Sequence, residues 1–171
     1  MWCHEREDNI NKMLSSLPEE TEVIWDIKNN ACDTLCRTVN SNESILVMED
    51  DIELCKDFYS KALNEISKRP DEFIMFYSFG LMEQKKLYFI SFVYTQAYYI
   101  PSGLGIEMAE FLKDNKDANN FRYSKWIAQY LNKKRIRRYT VRPSLVQHIW
   151  KESLLEPWVR PLHKSQTYKY E

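Results

Sequence analysis

The sequence predicts a single-domain α/β protein with a mostly parallel sheet flanked by helices. Two observations favour this class. Apolar runs of strand length alternate with stretches of helical periodicity, an order typical of parallel sheets with crossover helices. In addition, residues 45–48 form a short, fully apolar run, which is typical of a strand buried on both faces. A length of 171 residues is enough for one domain with its own core.

In the first half, strands are identified as short apolar runs and helices by apolar residues at one-face spacing. The expected strands are residues 1–4, 22–26, 45–48 and 73–77. The expected helices are residues 5–17, a helix opening at residues 29–30, and residues 57–68. Pro18 and Pro70 end the first and third helices, because proline cannot continue a helix.

The second half is predicted from the same signals. Residues 86–100 are strand-rich and end at Pro101, residues 104–113 and 123–131 are helical, and residues 135–141 form a basic strand. We expect one domain over residues 1–159. Residues 160–171 are polar, and we expect a tail that a ligand orders.

Composition excludes several classes of protein. The formal charge of −1 gives no overall attraction to nucleic acid or membranes, and no apolar run is long enough to span a bilayer. The N-terminus lacks the pattern of a secretory signal, so a cytoplasmic location is expected. With three glycines in the chain, no glycine-rich phosphate loop is available, which disfavours nicotinamide and P-loop enzymes. The spacing of the four cysteines disfavours a zinc site and favours reduced thiols.

The acids that follow the buried run are the strongest functional signal. A buried strand cannot hide Glu49, Asp50 and Asp51, so they should project at its carboxyl end, where open α/β sheets bind ligands. Three adjacent carboxylates repel one another unless a hard cation or a sugar hydroxyl shares the site. The alternative is an acidic turn that caps the next helix near Asp57.

A second motif, Pro143-Ser144-Leu145-Val146-Gln147-His148, follows about 90 residues later. Together, the two motifs resemble those of GT-A glycosyltransferases, and the chain is most similar to the compact phage and bacterial members. Some of those enzymes glycosylate modified bases in phage DNA. The C-terminal segment, residues 163–168, also resembles the ending of these enzymes, so the resemblance covers nearly the whole chain.

The resemblance implies a GT-A-like (Rossmann-like) fold and a metal-dependent transfer of a sugar from a nucleotide sugar, expected to be a UDP-sugar, to a hydroxyl. Asp51 would bind Mn²⁺ or Mg²⁺, Asp50 the ribose, and Glu49 the donor sugar or the ribose. The other positions expected to bind the donor are Glu5, Arg6, Asp26, Lys164 and Ser165. His148 is either a second metal ligand or a hydrogen-bonded core histidine. Ser144 and Gln147 are expected to join the strand end to a nearby loop.

The catalytic base is a departure from the resemblance. The phage relatives carry an acidic pair where this chain has residues 121–125, which include no carboxylate. Asp117, or Asp114 just before it, could take over deprotonation of the acceptor. A retaining mechanism would not need that base, so the sequence leaves inversion and retention open.

The acceptor prediction depends on a basic stretch. It comprises Lys133, Lys134, Arg135, Arg137 and Arg138, with Arg122 and Lys125 nearby. We expect these residues to contact phosphates of double-stranded DNA that carries hydroxymethylated or otherwise modified bases. Five aromatic residues could stack on an extruded base or belong to the core: Tyr88, Tyr94, Tyr98, Tyr99 and Trp126. The alternatives are a solvated helix end, transfer to a surface glycan or lipopolysaccharide, and a non-catalytic nucleotide- or DNA-binding module.

Overall fold

The structure is a computed structural model that describes residues 4–26, 30–78, 93–115, 123–149 and 164–171. The described chain is α/β, as predicted. Its helices are α1 (His4–Leu14), α2 (Ala31–Val39), α3 (Phe58–Lys68), α4 (Gly105–Asp114) and α5 (Tyr123–Lys133). Its strands are β1 (Ile45–Met48), β2 (Ile52–Leu54), β3 (Phe73–Met75), β4 (Ala97–Ile100), β5 (Arg138–Thr140) and β6 (Val146–His148).

The main sheet has four strands in the order β1-β4-β3-β5. Strand β4 is antiparallel to both of its neighbours, whereas β3 and β5 pair in parallel. Strands β1, β3 and β5 therefore run in one direction, and their carboxyl ends share one edge of the sheet, which we call the carboxyl edge. The prediction of a mostly parallel sheet does not match these pairings, because β4 is inserted in reverse between β1 and β3.

Helices and a ribbon cover the two faces of this sheet. On one face, Val39 of α2, Met108 of α4 and Ile127 of α5 form a buried cluster. On the other face, Phe58 and Ala62 of α3 pack with buried residues of β2 and β6. All four residues of β4 are buried, as expected for a central strand covered on both faces.

The ribbon of β2 and β6 is a second, two-stranded antiparallel sheet that the sequence reasoning did not predict. Its register pairs Ile52 with His148, Glu53 with Gln147, and Leu54 with Val146. Directly opposed residues share a face of such a pair. One face therefore enters the core through Ile52 and Leu54, while Glu53 and Gln147 lie on the other.

Several predicted elements need correction. Residues 22–26 form no strand, because none of the strands that the structure describes pairs with them. The predicted strand at residues 1–4 is mostly outside the described residues, and its last residue, His4, begins α1. Residues 79–92 also lie outside, and with them the first part, residues 86–92, of the strand-rich segment expected at 86–100. Leu63 of α3 is exposed, although it is one of the apolar residues whose spacing predicts this helix and its inner face.

Residues 164–171 lie against the domain through contacts that the chain itself provides. The main-chain N–H of Lys56 donates to the carbonyl of Tyr170 at 2.8 Å, and Lys61 Nζ donates to the carbonyl of Glu171 at 3.1 Å. Thr167 Oγ1 accepts from the N–H of Ser144 at 3.1 Å. These residues therefore contact the domain through hydrogen bonds of the chain itself, and ordering of the tail by a ligand stays a prediction.

None of the helices in the described ranges is both long and apolar enough to cross a bilayer.

Candidate functional site

The acidic residues form a tight turn at the carboxyl edge, as predicted. Glu49, Asp50 and Asp51 connect the end of β1 to the start of β2. The N–H of Glu49 donates to the carbonyl of Gln96 at 2.9 Å, which ties the turn to the residue preceding β4. The Asp50 side chain is 41 % exposed and that of Asp51 is 16 % exposed, so the two carboxylates lie in different environments.

Helix α1 contacts this turn from one side. Arg6 Nη1 donates to Asp50 Oδ1 at 2.6 Å, and Arg6 Nη2 lies 3.7 Å from Asp51 Oδ2. Asn9, one helical turn later, donates from Nδ2 to the carbonyls of Asp50 at 2.8 Å and of Ile52 at 3.0 Å. The guanidinium thus offsets charge on the two aspartates, and the amide holds the main chain on either side of Asp51.

His148 reaches the turn through the ribbon. Its pairing with Ile52 places it beside Asp51, and the His148 Nε2 to Asp51 Oδ2 distance is 3.2 Å. The hydrogen bond with Asp51 raises the pKa of His148 above its usual value, and the negative charges of Asp51 and Glu49 act in the same direction. Burial and the Arg6 charge oppose that rise. The imidazole is therefore oriented by the Asp51 carboxylate, which is compatible with both interpretations of this residue.

The other polar side-chain atom of each residue, Asp51 Oδ1 and His148 Nδ1, is buried. Asp51 Oδ1 and His148 Nδ1 have no hydrogen-bond partner within the described parts of the chain. Contacts to Arg6 and His148 both involve Oδ2 of Asp51, which leaves Oδ1 for a further cation or donor.

A divalent cation fits this donor set in part. Two ligands at right angles around an ion with bonds of about 2.1 Å lie about 3 Å apart, close to the Asp51–His148 separation. Among the described residues, no group of three or more His, Cys, Asp or Glu side chains could hold a metal. Asp51 and His148 would therefore supply two ligands, and Mg²⁺-type sites of this sort are completed by water and substrate phosphates.

The predicted bracing roles of Ser144 and Gln147 are confirmed. Ser144 Oγ donates to the carbonyl of Phe76 at 3.1 Å, which joins the start of the β6 segment to the end of β3. Gln147 pairs its side-chain amide with the main chain of Ser165, accepting at 2.8 Å and donating at 3.2 Å. The tail thus covers the face of the ribbon that Gln147 and Glu53 share.

The predicted donor-binding residues fall in three places. Arg6 lies on the aspartates themselves. Asp26 accepts from the N–H of Asn30 at 2.8 Å, so its carboxylate contacts the residue that caps α2. Ser165 is buried where residues 164–171 contact the domain, and its Oγ lies 3.2 Å from Thr167 Oγ1. Lys164 is exposed. The side chain of Glu5 lies outside the described part.

The catalytic base is not located by the structure. Asp117 lies outside the described ranges, as does Arg122. Asp114 is the last residue of α4 and is exposed.

The basic stretch lies at the opposite edge of the main sheet from the acids, which corrects the prediction that it flanks the site. Lys133, Lys134, Arg135 and Arg137 precede β5, whereas the acids follow β1, and β1 and β5 run in the same direction. Three strand residues separate the two edges by about 10 Å. Lys125 lies nearer the carboxyl edge than the four basic residues that precede β5. The carbonyl of its neighbour Ser124 accepts from the N–H of Val93, which precedes the start of β4.

Arg138 is buried and cannot contact DNA. Its side chain is 2 % exposed, and Nη2 donates to the carbonyl of Ala128 at 3.1 Å and to Oδ1 of Asn132. Both acceptors belong to α5, so this arginine joins β5 to the helix that precedes it. Lys134 is also engaged, in an ion pair with Glu107.

The predicted aromatic surface is largely core. Tyr98 stacks on Phe73 with ring centroids 5.3 Å apart, and Tyr99 donates from its hydroxyl to the carbonyl of Pro70 at 3.0 Å. Tyr94 is half-buried near the carboxyl edge and contacts Tyr77 edge to face at 5.5 Å. Tyr88 lies outside the described residues, and Trp126 packs partly buried against the core.

The sequence reasoning missed Asn9 and the ribbon. A detectable signal for Asn9 was its position three residues after Arg6 and four before the buried Met13, on one face of α1. The ribbon was detectable as a strict alternation of apolar and polar residues in Ile52-Glu53-Leu54.

A scan of the chain against models of protein families matches none of them, and no curated protein sequence matches it significantly.

Proposed function

We propose that the protein is a metal-dependent glycosyltransferase with a GT-A-like fold, which transfers a sugar from a nucleotide sugar to a hydroxyl. The observation that carries the proposal is the Asp51–His148 pair, 3.2 Å apart at the carboxyl edge of the main sheet, although β1 is an edge strand of which only Val47 is buried. A cation held by Asp51 Oδ2 and His148 Nε2 would replace the hydrogen bond between them, and the buried Asp51 Oδ1 has no partner in the described chain, so it could accept a further donor or cation. The resemblance of the two motifs to those of GT-A enzymes supports the reaction class.

The side chains of the site have distinct tasks in this proposal. Asp51 and His148 would hold Mn²⁺ or Mg²⁺, which offsets the charge that develops on the leaving nucleotide diphosphate. Asp50, the more exposed aspartate, is available to accept hydrogen bonds from hydroxyls of the donor. Arg6 lies within 4 Å of both aspartates, so its guanidinium offsets the repulsion between their negative charges.

The test is calorimetric titration with Mn²⁺ and UDP, followed by a series of UDP-sugars. Asp51→Asn and His148→Ala should each weaken Mn²⁺-dependent nucleotide binding by at least tenfold, because each removes one of two protein ligands. Glu53→Gln is the matched control. It lies two residues after Asp51, but its carboxylate contacts Lys12 and Tyr168 instead. Equal loss in Glu53→Gln, or no loss in the other two variants, would refute the site.

We propose a hydroxyl on a glycan as the acceptor, in preference to a modified base in DNA. The basic stretch that favoured DNA lies at the opposite edge, and Arg138 is buried. Tyr94 offers a half-buried ring near the carboxyl edge, the kind of surface on which a sugar can pack.

Fluorescence anisotropy with a labelled duplex tests the acceptor class. If the exposed Lys133, Arg135 and Arg137 bind phosphates, the logarithm of affinity should fall with the logarithm of salt concentration by about 0.9 for each phosphate contacted. Lys133→Ala should then flatten that slope by about one. An absence of duplex binding at low salt supports the glycan acceptor. Salt-dependent binding whose slope flattens in Lys133→Ala would instead favour DNA as the acceptor.

Two further statements belong to the proposal. Cys32, Cys36 and Cys55 are free thiols, which suits a reducing compartment, so we place the protein in the cytoplasm. A second candidate function, a non-catalytic nucleotide-binding module, is favoured by Arg6, which already balances charge on both aspartates. Hydrolysis of a UDP-sugar or sugar transfer by the purified protein excludes that module, and nucleotide binding without turnover across the donor series supports it.

A further inference from the structure

We infer that Asn9 is a positioning residue that holds Asp51 in place against His148. The inference rests on the proposed function of this site. It concerns a residue of α1 whose side-chain amide, among the described residues, hydrogen-bonds to the carbonyls of Asp50 and Ile52 and to the sulfur of Met13.

Both protons of the Asn9 amide have acceptors on the turn. Nδ2 donates to the carbonyl of Asp50 at 2.8 Å and to that of Ile52 at 3.0 Å. These carbonyls belong to the residues on either side of Asp51, so one side chain fixes the peptide groups that flank it. The orientation of the amide follows from its partners, because its oxygen would face two carbonyl oxygens if the group were flipped.

A third contact completes the restraint. The carbonyl of Asp51 accepts from the N–H of Ile149 at 3.0 Å, immediately after His148. Three successive carbonyls of the turn are therefore bonded, two of them by α1 and one by the segment that carries the histidine. With the main chain fixed in this way, only two torsion angles set the direction of the Asp51 carboxylate: χ1 about the Cα–Cβ bond and χ2 about the Cβ–Cγ bond.

Helix α1 is anchored so that it can transmit this restraint. Met13, four residues after Asn9, is buried in the core cluster that includes Ile52. Arg6 and Asn9 lie on the same side of the helix, three residues apart. The helix therefore acts on the aspartates through Arg6 and on their main chain through Asn9.

The test uses Asn9→Asp, which keeps the shape of the side chain and removes both donated hydrogen bonds. Asn11→Asp is the matched control, because Asn11 is the same residue type on the same helix and is exposed. The first measurement needs no metal. Amide hydrogen exchange at Ile149 should be at least tenfold faster in Asn9→Asp, while exchange at Val141, whose N–H donates to the carbonyl of Met75 at 2.8 Å, should be unchanged.

The second measurement is Mn²⁺ affinity in the presence of UDP. Loss of a residue that orients a ligand typically reduces metal affinity by 10- to 100-fold, so Asn9→Asp should bind Mn²⁺ at least tenfold more weakly than Asn11→Asp. Asn9→Ala adds no charge and should show the same loss of Mn²⁺ affinity. This variant therefore distinguishes an effect of the lost hydrogen bonds from an effect of the added negative charge. A merely structural role would lower the melting temperature and leave the affinity of the folded protein unchanged.

The outcomes separate this inference from the proposed function. Faster exchange at Ile149 with weaker Mn²⁺ binding in both Asn9 variants supports the inference. Equal exchange at Ile149 in Asn9→Asp and Asn11→Asp overturns it, whatever the metal affinity. If the unmodified protein binds no Mn²⁺ with UDP, the proposed function fails, and exchange at Ile149 alone then decides whether Asn9 fixes the turn that carries Asp51.

Discussion

Arg6 offers a prediction that separates the stability of the site from its affinity for a cation. The perturbation is Arg6→Met, which keeps much of the aliphatic stem and removes the charge. Its guanidinium donates to Asp50 at 2.6 Å and lies 3.7 Å from Asp51. We expect the change to destabilise the protein and, at the same time, to increase the affinity for Mn²⁺ measured without nucleotide.

The magnitudes follow from burial and distance. A hydrogen bond to a charged group contributes about 1.5–3 kcal/mol, and the lower part of that range applies because Asp50 is 41 % exposed. Arg6→Met should therefore cost about 2 kcal/mol in unfolding free energy, of which about 1 kcal/mol is coupling to Asp50. A divalent ion and a unit charge about 4 Å apart repel by about 2 kcal/mol even in bulk water, and a cation bound by Asp51 would lie somewhat farther from the guanidinium, so removing this charge relieves about 1–2 kcal/mol of repulsion. That corresponds to roughly a 5- to 30-fold gain in Mn²⁺ affinity.

The assay is urea unfolding of a double-mutant cycle with Arg6→Met and Asp50→Asn, together with calorimetric titration of Mn²⁺ into each protein. The coupling energy should exceed the roughly 0.3–0.5 kcal/mol within which independent sites are additive. Additive unfolding energies would show that the ion pair contributes nothing to folding. Weaker Mn²⁺ binding in Arg6→Met would show that the guanidinium supports the cation rather than competing with it.

The remaining predictions concern the fold around the site. Gly105→Ala should cost about 3 kcal/mol or more in urea unfolding, because its Cβ would lie 2.2 Å from the carbonyl oxygen of Val39, which ends α2, and 2.4 Å from that of Ser41. A Cβ at Gly103 would meet no atom within 4 Å, but φ there is +80°, so Gly103→Ala should lower the unfolding free energy by about 1 kcal/mol. Equal costs for the two variants would contradict this account. Arg135, at φ 56° after α5, should gain about 0.5–1 kcal/mol on change to Gly, and a loss in chemical denaturation would contradict the strain assigned to it. The hydrogen bond with Lys134 lowers the pKa of Glu107. The pairing therefore stabilises the fold at pH values above the ordinary pKa of Glu, and this stabilisation is lost as the pH falls through the lowered pKa. Glu107→Gln should remove this pH dependence of the unfolding midpoint on the acid side.

The parts of the fold that the sequence predicted well are those with strong local signals. The apolar run of β1, the Asn30 cap of α2, whose side chain accepts from the N–H of Asp33, and the periodicity of α3 each arise from a few neighbouring residues. The acids were located at the carboxyl edge for the same reason, since a buried strand must end where its charges begin.

The position of His148 could not be predicted, because it depends on long-range pairing. The register that opposes Ile52 and His148 joins segments almost a hundred residues apart, and no local signal specifies the partner of a three-residue strand. The sequence therefore left two interpretations of this histidine open. Its contact with Asp51 is compatible with both, which is why the Mn²⁺ titration of His148→Ala decides between them.

The basic stretch shows a different limit. A run of like charges indicates a surface, but it does not tell which residues of a strand face inward. Alternation along β5 places Arg138 in the interior, where carbonyl and amide oxygens of α5 accept its hydrogen bonds, and leaves Arg137 exposed. Buried arginines of this kind are identified by their acceptors, which only the three-dimensional structure supplies.

The reversed direction of β4 explains why candidates chosen from the sequence covered only part of the site. In an all-parallel sheet, the carboxyl edge is formed by the residues that follow each strand, and the predicted candidates were chosen on that basis. A reversed strand brings the residues that precede it to the same edge. Gln96 therefore bonds the N–H of Glu49, and Tyr94 lies two residues before it. Under the proposed function, the acceptor side of the site is to be sought in the chain that leads into β4, which carries the half-buried ring of Tyr94 and contacts the acidic turn through Gln96.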